Sequence, residues 1–240
     1  MSIKMIFEED KKRDFSDSVF ITGFHGIGWT GYIAIRHLIK TAKAEKIGYL
    51  IGDIIPDIIS IEDEHLILPF EFYKYKNFVM FQPPLQPILI EQRKIIQELA
   101  QWIVNSNFKE AVLIGGLDIR FQQESNDLRL IPTKAFINSG RKFDNPYLEK
   151  GLLVRGPLAL LLTHLEVLNF PAVVILPFAK PDRPDPAAAA VSIDFLNKNY
   201  QLDISTSQLL TDAQMIEDEI AEILRQERER TEREPHDMYI

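Results

Sequence analysis

Four closely spaced glycines, Gly23, Gly26, Gly28 and Gly31, follow a short apolar run from Val19 to Thr22 and precede the apolar-periodic segment Ile33 to Ile39. Within them Gly26-x-Gly28-x-x-Gly31 has the spacing of a dinucleotide-binding turn, where bare backbone approaches a pyrophosphate at a helix start. Asp53 follows about 20 residues on, where such folds place a ribose ligand. The same residues also serve packing alone, because glycines and alanine at three-residue spacing (Gly28, Gly31, Ala34) leave a helix face bare enough to press on a neighbouring backbone. Arg120, Arg129 and Arg155 are cations able to hold phosphate, so a nucleotide- or phosphate-using enzyme at the glycine turn, an oxidoreductase or a phosphorylase, stands as the alternative function.

Other chemistries are poorly served. His25, His37, His65, His164 and His236 are scattered, with no two in a short ligand-like spacing, so no metal site is expected. His164-Leu-Glu166 resembles half of a zinc deaminase signature, but the chain has no cysteine to supply the other half, and disulfides and thiolate nucleophiles are excluded with it. Neither a Gly-x-Ser-x-Gly elbow nor a Walker A loop occurs, which leaves an α/β-hydrolase and a P-loop nucleotidase without support.

A different kind of site is suggested at the far end. Met238-Tyr239-Ile240 follows a run from Arg225 to Glu234 that holds four arginines and four glutamates. Pairs such as Glu229 with Arg233 and Arg228 with Glu232 lie one turn apart and support a solvated helix, roughly 15 Å long over ten residues. Pro235 ends it. An exposed tyrosine with an apolar neighbour and a free carboxylate suits capture in a pocket that offers a cation.

The elements that must position these residues alternate strand and helix. After the first strand, a helix is expected over about Ile27 to Ala44, then strands at Ile47 to Ile51, His65 to Pro69, Phe72 to Tyr75 and Phe78 to Phe81, the later ones close enough for a hairpin. Three prolines make Gln82 to Pro87 a rigid loop. Ile88 to Val104 has helical spacing, and Ala111 to Ile114 reads as a buried strand that ends in Gly115-Gly116. Residues 118–150 are the least regular part and the natural place for a lid, an insertion or an oligomer contact. Gly156-Pro157 opens a helix through Leu168, Ala172 to Leu176 is another buried strand, and Asp185-Pro186 supplies the cap and first turn of a helix over Ala187 to Asn199. Ser205-x-x-Gln208 has capping-box spacing, and the stripe Leu209, Ala213, Ile216, Ile220, Ile223 packs a last helix. The reading is an α/β chain with a largely parallel sheet covered on both faces. Residues 1–224 are expected to form one α/β domain, and residues 225–240 a projecting spacer and tail.

No apolar run approaches the roughly 18 residues of a membrane span, and the N-terminal stretch has no secretory pattern, so a soluble, cytoplasmic protein without a membrane partner is expected. With 35 acidic against 27 basic residues the formal charge is -8, which repels phosphate backbones and argues against nucleic acid.

Phe20-Ile-Thr-Gly-Phe-His-Gly-Ile-Gly-Trp-Thr-Gly31, Leu113-Ile-Gly-Gly-Leu117, Gly151-Leu-Leu-Val-Arg-Gly156 and Asp185-Pro-Ala-Ala-Ala-Ala190 resemble, in that order, blocks of the proteasome assembly chaperone family, over about residues 18–210. His25 stands where proline is common in that family. The resemblance implies a three-layer α/β/α sandwich like that of the nucleoside phosphorylases, without their activity and without a cofactor. It also implies homo-oligomers or heterodimers that bind the α subunits of the 20S proteasome and assist assembly. Some archaeal members end in a hydrophobic-Tyr-any tail that docks between adjacent α subunits, and Met238, Tyr239 and Ile240 match that tail. What the resemblance then implies is an ATP-independent proteasome assembly chaperone or activator, with Gly23, Gly26, Gly28 and Gly31 as a structural loop.

Overall fold

The computed structural model describes residues 3–8, 15–53, 55, 59–62, 65–83, 89–122 and 126–233. Its centre is four parallel strands in the order β7 (Phe78–Gln82), β2 (Val19–Gly23), β8 (Glu110–Ile114) and β11 (Ala172–Ala179). Antiparallel strands extend it on both sides. β6 (Glu71–Tyr75), β3 (Glu45–Gly52) and β1 (Ile3–Phe7) continue from β7, and β10 (Leu128–Pro132) closes the sheet beside β11. A two-residue strand β9 (Leu117–Asp118) runs parallel to the end of β11, and β4 (Ser60–Glu62) with β5 (His65–Ile67) forms a separate hairpin.

The central strands are buried end to end, which is why they read as continuous apolar runs and not as alternating ones. Their side chains still alternate between two cores. Phe20, Leu113 and Val174 face α2 (Leu89–Asn105) and α4 (Pro157–Val167), while Ile21, Val112 and Ile175 face α1 (Thr30–Thr41) and α5 (Pro186–Tyr200). Helices therefore cover both faces of the sheet, as the three-layer reading requires. Each fully buried Leu, Ile, Val or Phe contributes about 1.5–3 kcal/mol. The first core also holds an aromatic cluster: Trp102 at the end of α2 stacks on Phe7 of edge strand β1, centroids 5.4 Å apart, and meets Phe72 at 4.9 Å.

Three local differences from the sequence reading have physical causes. The helix expected from Ile27 is interrupted: a 3₁₀ turn, Ile27–Trp29, is set off from α1 by positive φ at Gly28 (62°) and Trp29 (50°). Within the irregular 118–150 stretch lies strand β10, hidden from the pattern because Arg129 is buried between Leu128 and Leu130. Its outer edge is met by the segment after α3 (Lys134–Asn138), where Leu130 N–H donates to Pro146 O and Leu148 N–H donates to Leu130 O, both at 3.0 Å. Finally, the capping box is not formed. Helix α6 (Ser207–Arg233) starts two residues after Ser205, whose hydroxyl accepts from Ser207 N–H, and Gln208 instead donates along the helix to Asp212.

Helix α6 packs on α5 through its first turns, with Leu209 buried and Ala213, Ile216 and Ile220 half-buried. Glu217 pairs with Lys180 and Arg183 from the β11–α5 connection. Those cations, Lys180 first, hold the Glu217 carboxyl below its usual range. Side chains after Arg225, including the Glu229/Arg233 and Arg228/Glu232 pairs, lie outside the described residues, as does most of the 82–87 loop.

Candidate functional site

Strands β2 and β8 end side by side, and each breaks into glycine: Gly23 as the last residue of β2, Gly115 and Gly116 after β8. The turns are in backbone contact. A Cβ on Gly31 would stand 2.1 Å from Ile114 O, one on Gly23 2.3 Å from Gly31 O, and one on Gly116 2.3 Å from Ile27 O. Gly28 combines its positive φ with a Cβ position 2.8 Å from that of Ala179. Gly26 differs, since nothing lies within 4 Å of its Cβ position.

Asp185 ties the same region together. Its carboxylate accepts from Ala188 N–H at 3.0 Å, capping α5, and from Lys180 N–H at 2.9 Å at the end of β11, while its own N–H donates to Gly28 O at 2.8 Å. One buried residue, through its carboxylate and its backbone N–H, thus joins the first glycine turn, the last parallel strand and a helix start. The cap was readable from Asp185-Pro186; the bond to Gly28 was not.

Asp53 sits elsewhere. It follows β3, and because the β6–β7 hairpin lies between β3 and β2, it is three strands from the glycine turn, about 14 Å at about 4.8 Å per strand. A ribose at the turn would be beyond its reach. Two of the three arginines are engaged by carboxylates. Arg120 forks onto Asp118, with Nε 3.0 Å from each carboxylate oxygen, and holds that carboxyl below its usual range. Arg129 pairs with Glu149 at 2.6 Å and lies over the Phe178 ring.

Arg155 is different. It lines a cavity of about 330 Å³ between the two glycine turns, the start of α4 and the Leu153–Arg155 segment. Phe24, Leu117, Leu158 and Leu176 form its apolar walls, and Gly26, Gly115 and Gly116 bring bare backbone to it. His25 lines it too and stacks on Tyr32 with centroids 3.9 Å apart; burial pushes its imidazole below the usual value, so it is mainly neutral at pH 7. The other described histidines are apart, with His37 Nε2 2.7 Å from Ser205 O, and among the described residues no cluster has the makings of a metal site. No described helix is long and apolar enough to cross a membrane. Met238, Tyr239 and Ile240 lie outside the described residues.

Known proteins share this architecture. An uncharacterized protein of Methanocaldococcus jannaschii is 29% identical over 226 residues, 92% of each chain. Pyrococcus furiosus PbaA, an archaeal homolog of proteasome-assembly chaperone, superposes with a TM-score of 0.81 at 25% identity over 99% of both chains. Pyrococcus furiosus PbaB, an archaeal proteasome activator, shares the fold at a TM-score of 0.74 and 18% identity, over 92% of this chain and 98% of its own. The PAC2 family profile matches residues 20–224, a span that runs from β2 and its glycine turn through the Asp185 tie into α6, and the chain belongs to the PAC2 family.

Proposed function

We propose that this chain is a non-enzymatic, ATP-independent assembly chaperone or activator of the 20S proteasome that engages the α ring through Met238, Tyr239 and Ile240. The observation that carries this reading is the fold shared along the whole chain with PbaA, a homolog of proteasome-assembly chaperone, together with the likeness to the activator PbaB. Helix α6 adds a means of delivery. At 27 residues it spans about 40 Å at about 1.5 Å per residue, and the side chains described as packed on the body, Leu209, Ala213, Ile216 and Ile220, lie in its first half. Tyr239 is the anchor in an intersubunit pocket, Met238 covers the rim, and Ile240 brings its carboxylate to a lysine. A homo-oligomeric body would present several tails, so that each contact after the first forms at raised effective concentration. Pull-down and peptidase assays with archaeal 20S particles and free α rings test this. Capture that depends on residues 238–240 is expected; capture unchanged by deleting them overturns the tail mechanism, and no capture of either particle overturns the proteasome assignment.

A further inference from the structure

The cavity beneath Arg155 has no part in a tail-docking mechanism, yet it has the form of a binding site. It lies where the parallel strands β2 and β8 end, the position at which open α/β sheets take ligands. At about 330 Å³ it is at the small end of the range for ligand pockets. Its walls are mostly carbon: Phe24 from the first glycine turn, Leu117 from β9, Leu158 from α4 and Leu176 from β11.

The polar side chains of the lining are Arg155 and His25. Arg155 is exposed and, among the described residues, makes no ion pair, whereas Arg120 and Arg129 are each neutralised by a carboxylate. With His25 mainly neutral at pH 7, Arg155 is the one charged side chain among the described residues of the lining. One guanidinium suits one monoanion, and its planar fork matches a carboxylate with two parallel hydrogen bonds. A phosphate dianion would leave uncompensated charge against apolar walls in a chain of net charge -8.

We propose that the cavity between the two glycine turns and the Leu153–Arg155 segment binds a small apolar monocarboxylic acid, with Arg155 holding the carboxylate at the mouth and Phe24, Leu117, Leu158 and Leu176 enclosing the carbon body. Enclosure by three elements of the fold leaves room for a free acid and little for a continuing peptide chain. This assignment is independent of the proteasome reading.

The test uses the full chain and ligand-observed NMR titrations with hexanoate and 3-phenylpropionate, their primary amides, inorganic phosphate, and an N-acetylated dipeptide that ends in phenylalanine. At least one acid is expected to bind, with its amide at least about tenfold weaker, the loss that follows from giving up a charged hydrogen-bonded pair. Arg155→Gln should reduce the acid to the level of its amide at unchanged melting temperature. Val154→Phe, which extends a lining residue into the space, should remove binding of both. No binding by either acid, equal binding of acid and amide, or an acid affinity untouched by Arg155→Gln overturns the proposal. Phosphate binding ahead of both acids, or the dipeptide binding more tightly than the free acids, overturns the assigned ligand class.

Discussion

Replacing Gly31 by alanine sets two opposed effects against each other, and the geometry decides between them. Alanine is the better helix former, and in the first turn of α1 the exchange would add about 1 kcal/mol on propensity alone. The new Cβ, however, would stand 2.1 Å from the carbonyl oxygen of Ile114, a distance that must open beyond 3.0 Å. Neither partner is a movable side chain tip; one is fixed to the α1 backbone and the other to the central strand β8. Relief therefore requires the helix to lift from the sheet by about 1 Å, which loosens Ala34, Ile35 and Leu38 against Ile21 and Val112. Overpacking of this kind costs about 1–3 kcal/mol where side chains can adjust, and a backbone-to-backbone clash belongs at or above the top of that range. The net expectation is a loss of about 2 kcal/mol or more, or about 4–8 °C in melting temperature for a chain of this size. Gly26→Ala is the matched control, since its Cβ would meet nothing within 4 Å and its φ of -161° is open to any residue, so its effect should stay within about 0.5 kcal/mol. Urea denaturation of both variants, with m-values compared, measures the difference. A Gly31→Ala protein as stable as the parent, or a Gly26→Ala protein equally destabilised, refutes the close-packing argument.

Glu110 gives a pH prediction. Burial at 3% exposure pushes its carboxyl up, against the opposing pull of Arg141 at 2.6 Å, the Tyr200 hydroxyl and Lys109. An acid whose folded value exceeds its unfolded one binds more protons when folded, so its contribution is greatest below the unfolded value and is lost as pH rises through the folded one. The stability of Glu110→Gln relative to the parent should therefore climb with pH from about 4 upward, near the unfolded value; a difference that falls over that range contradicts the assignment. Asp185→Ala removes a helix cap and leaves Lys180 N–H without its acceptor, with an expected loss of about 2–3 kcal/mol in thermal or chemical denaturation. Tyr239→Ala should leave the melting temperature unchanged while abolishing capture of 20S particles; a folding defect in that variant would count against a tail that acts outside the core.

The layered architecture was legible because its strands announce themselves locally: Val19 to Thr22, Ala111 to Ile114 and Ala172 to Leu176 are apolar on both faces, and each connects to helical spacing. Sheet order was not legible. Asp53 has a suitable sequence distance from the glycine turn, but spacing along a chain says nothing about which hairpin is inserted between two strands, and β6 with β7 separates them. Strand β10 was obscured by its own chemistry, since buried Arg129 breaks the apolar run that would have revealed it. Of the cavity, the glycine turns were readable as turns, but Leu153 to Arg155 carry no periodic signal, and only tertiary packing brings them over β2 and β8.

The edge beside β10 is closed to pairing with another strand. Open edge strands invite pairing with another chain, and inward charges, proline and covering segments are the usual means of preventing it. β10 has all three: Arg129 is turned inward and paired with Glu149, Pro132 ends the strand, and Pro146 to Leu148 occupy its outer hydrogen-bonding groups. At the opposite end, β1 pairs only with β3 among the described strands and exposes Ile6. Sheet continuation with another chain, the route that also leads to fibres, is therefore disfavoured at β10, which leaves contacts on that side to side chains of helices and loops.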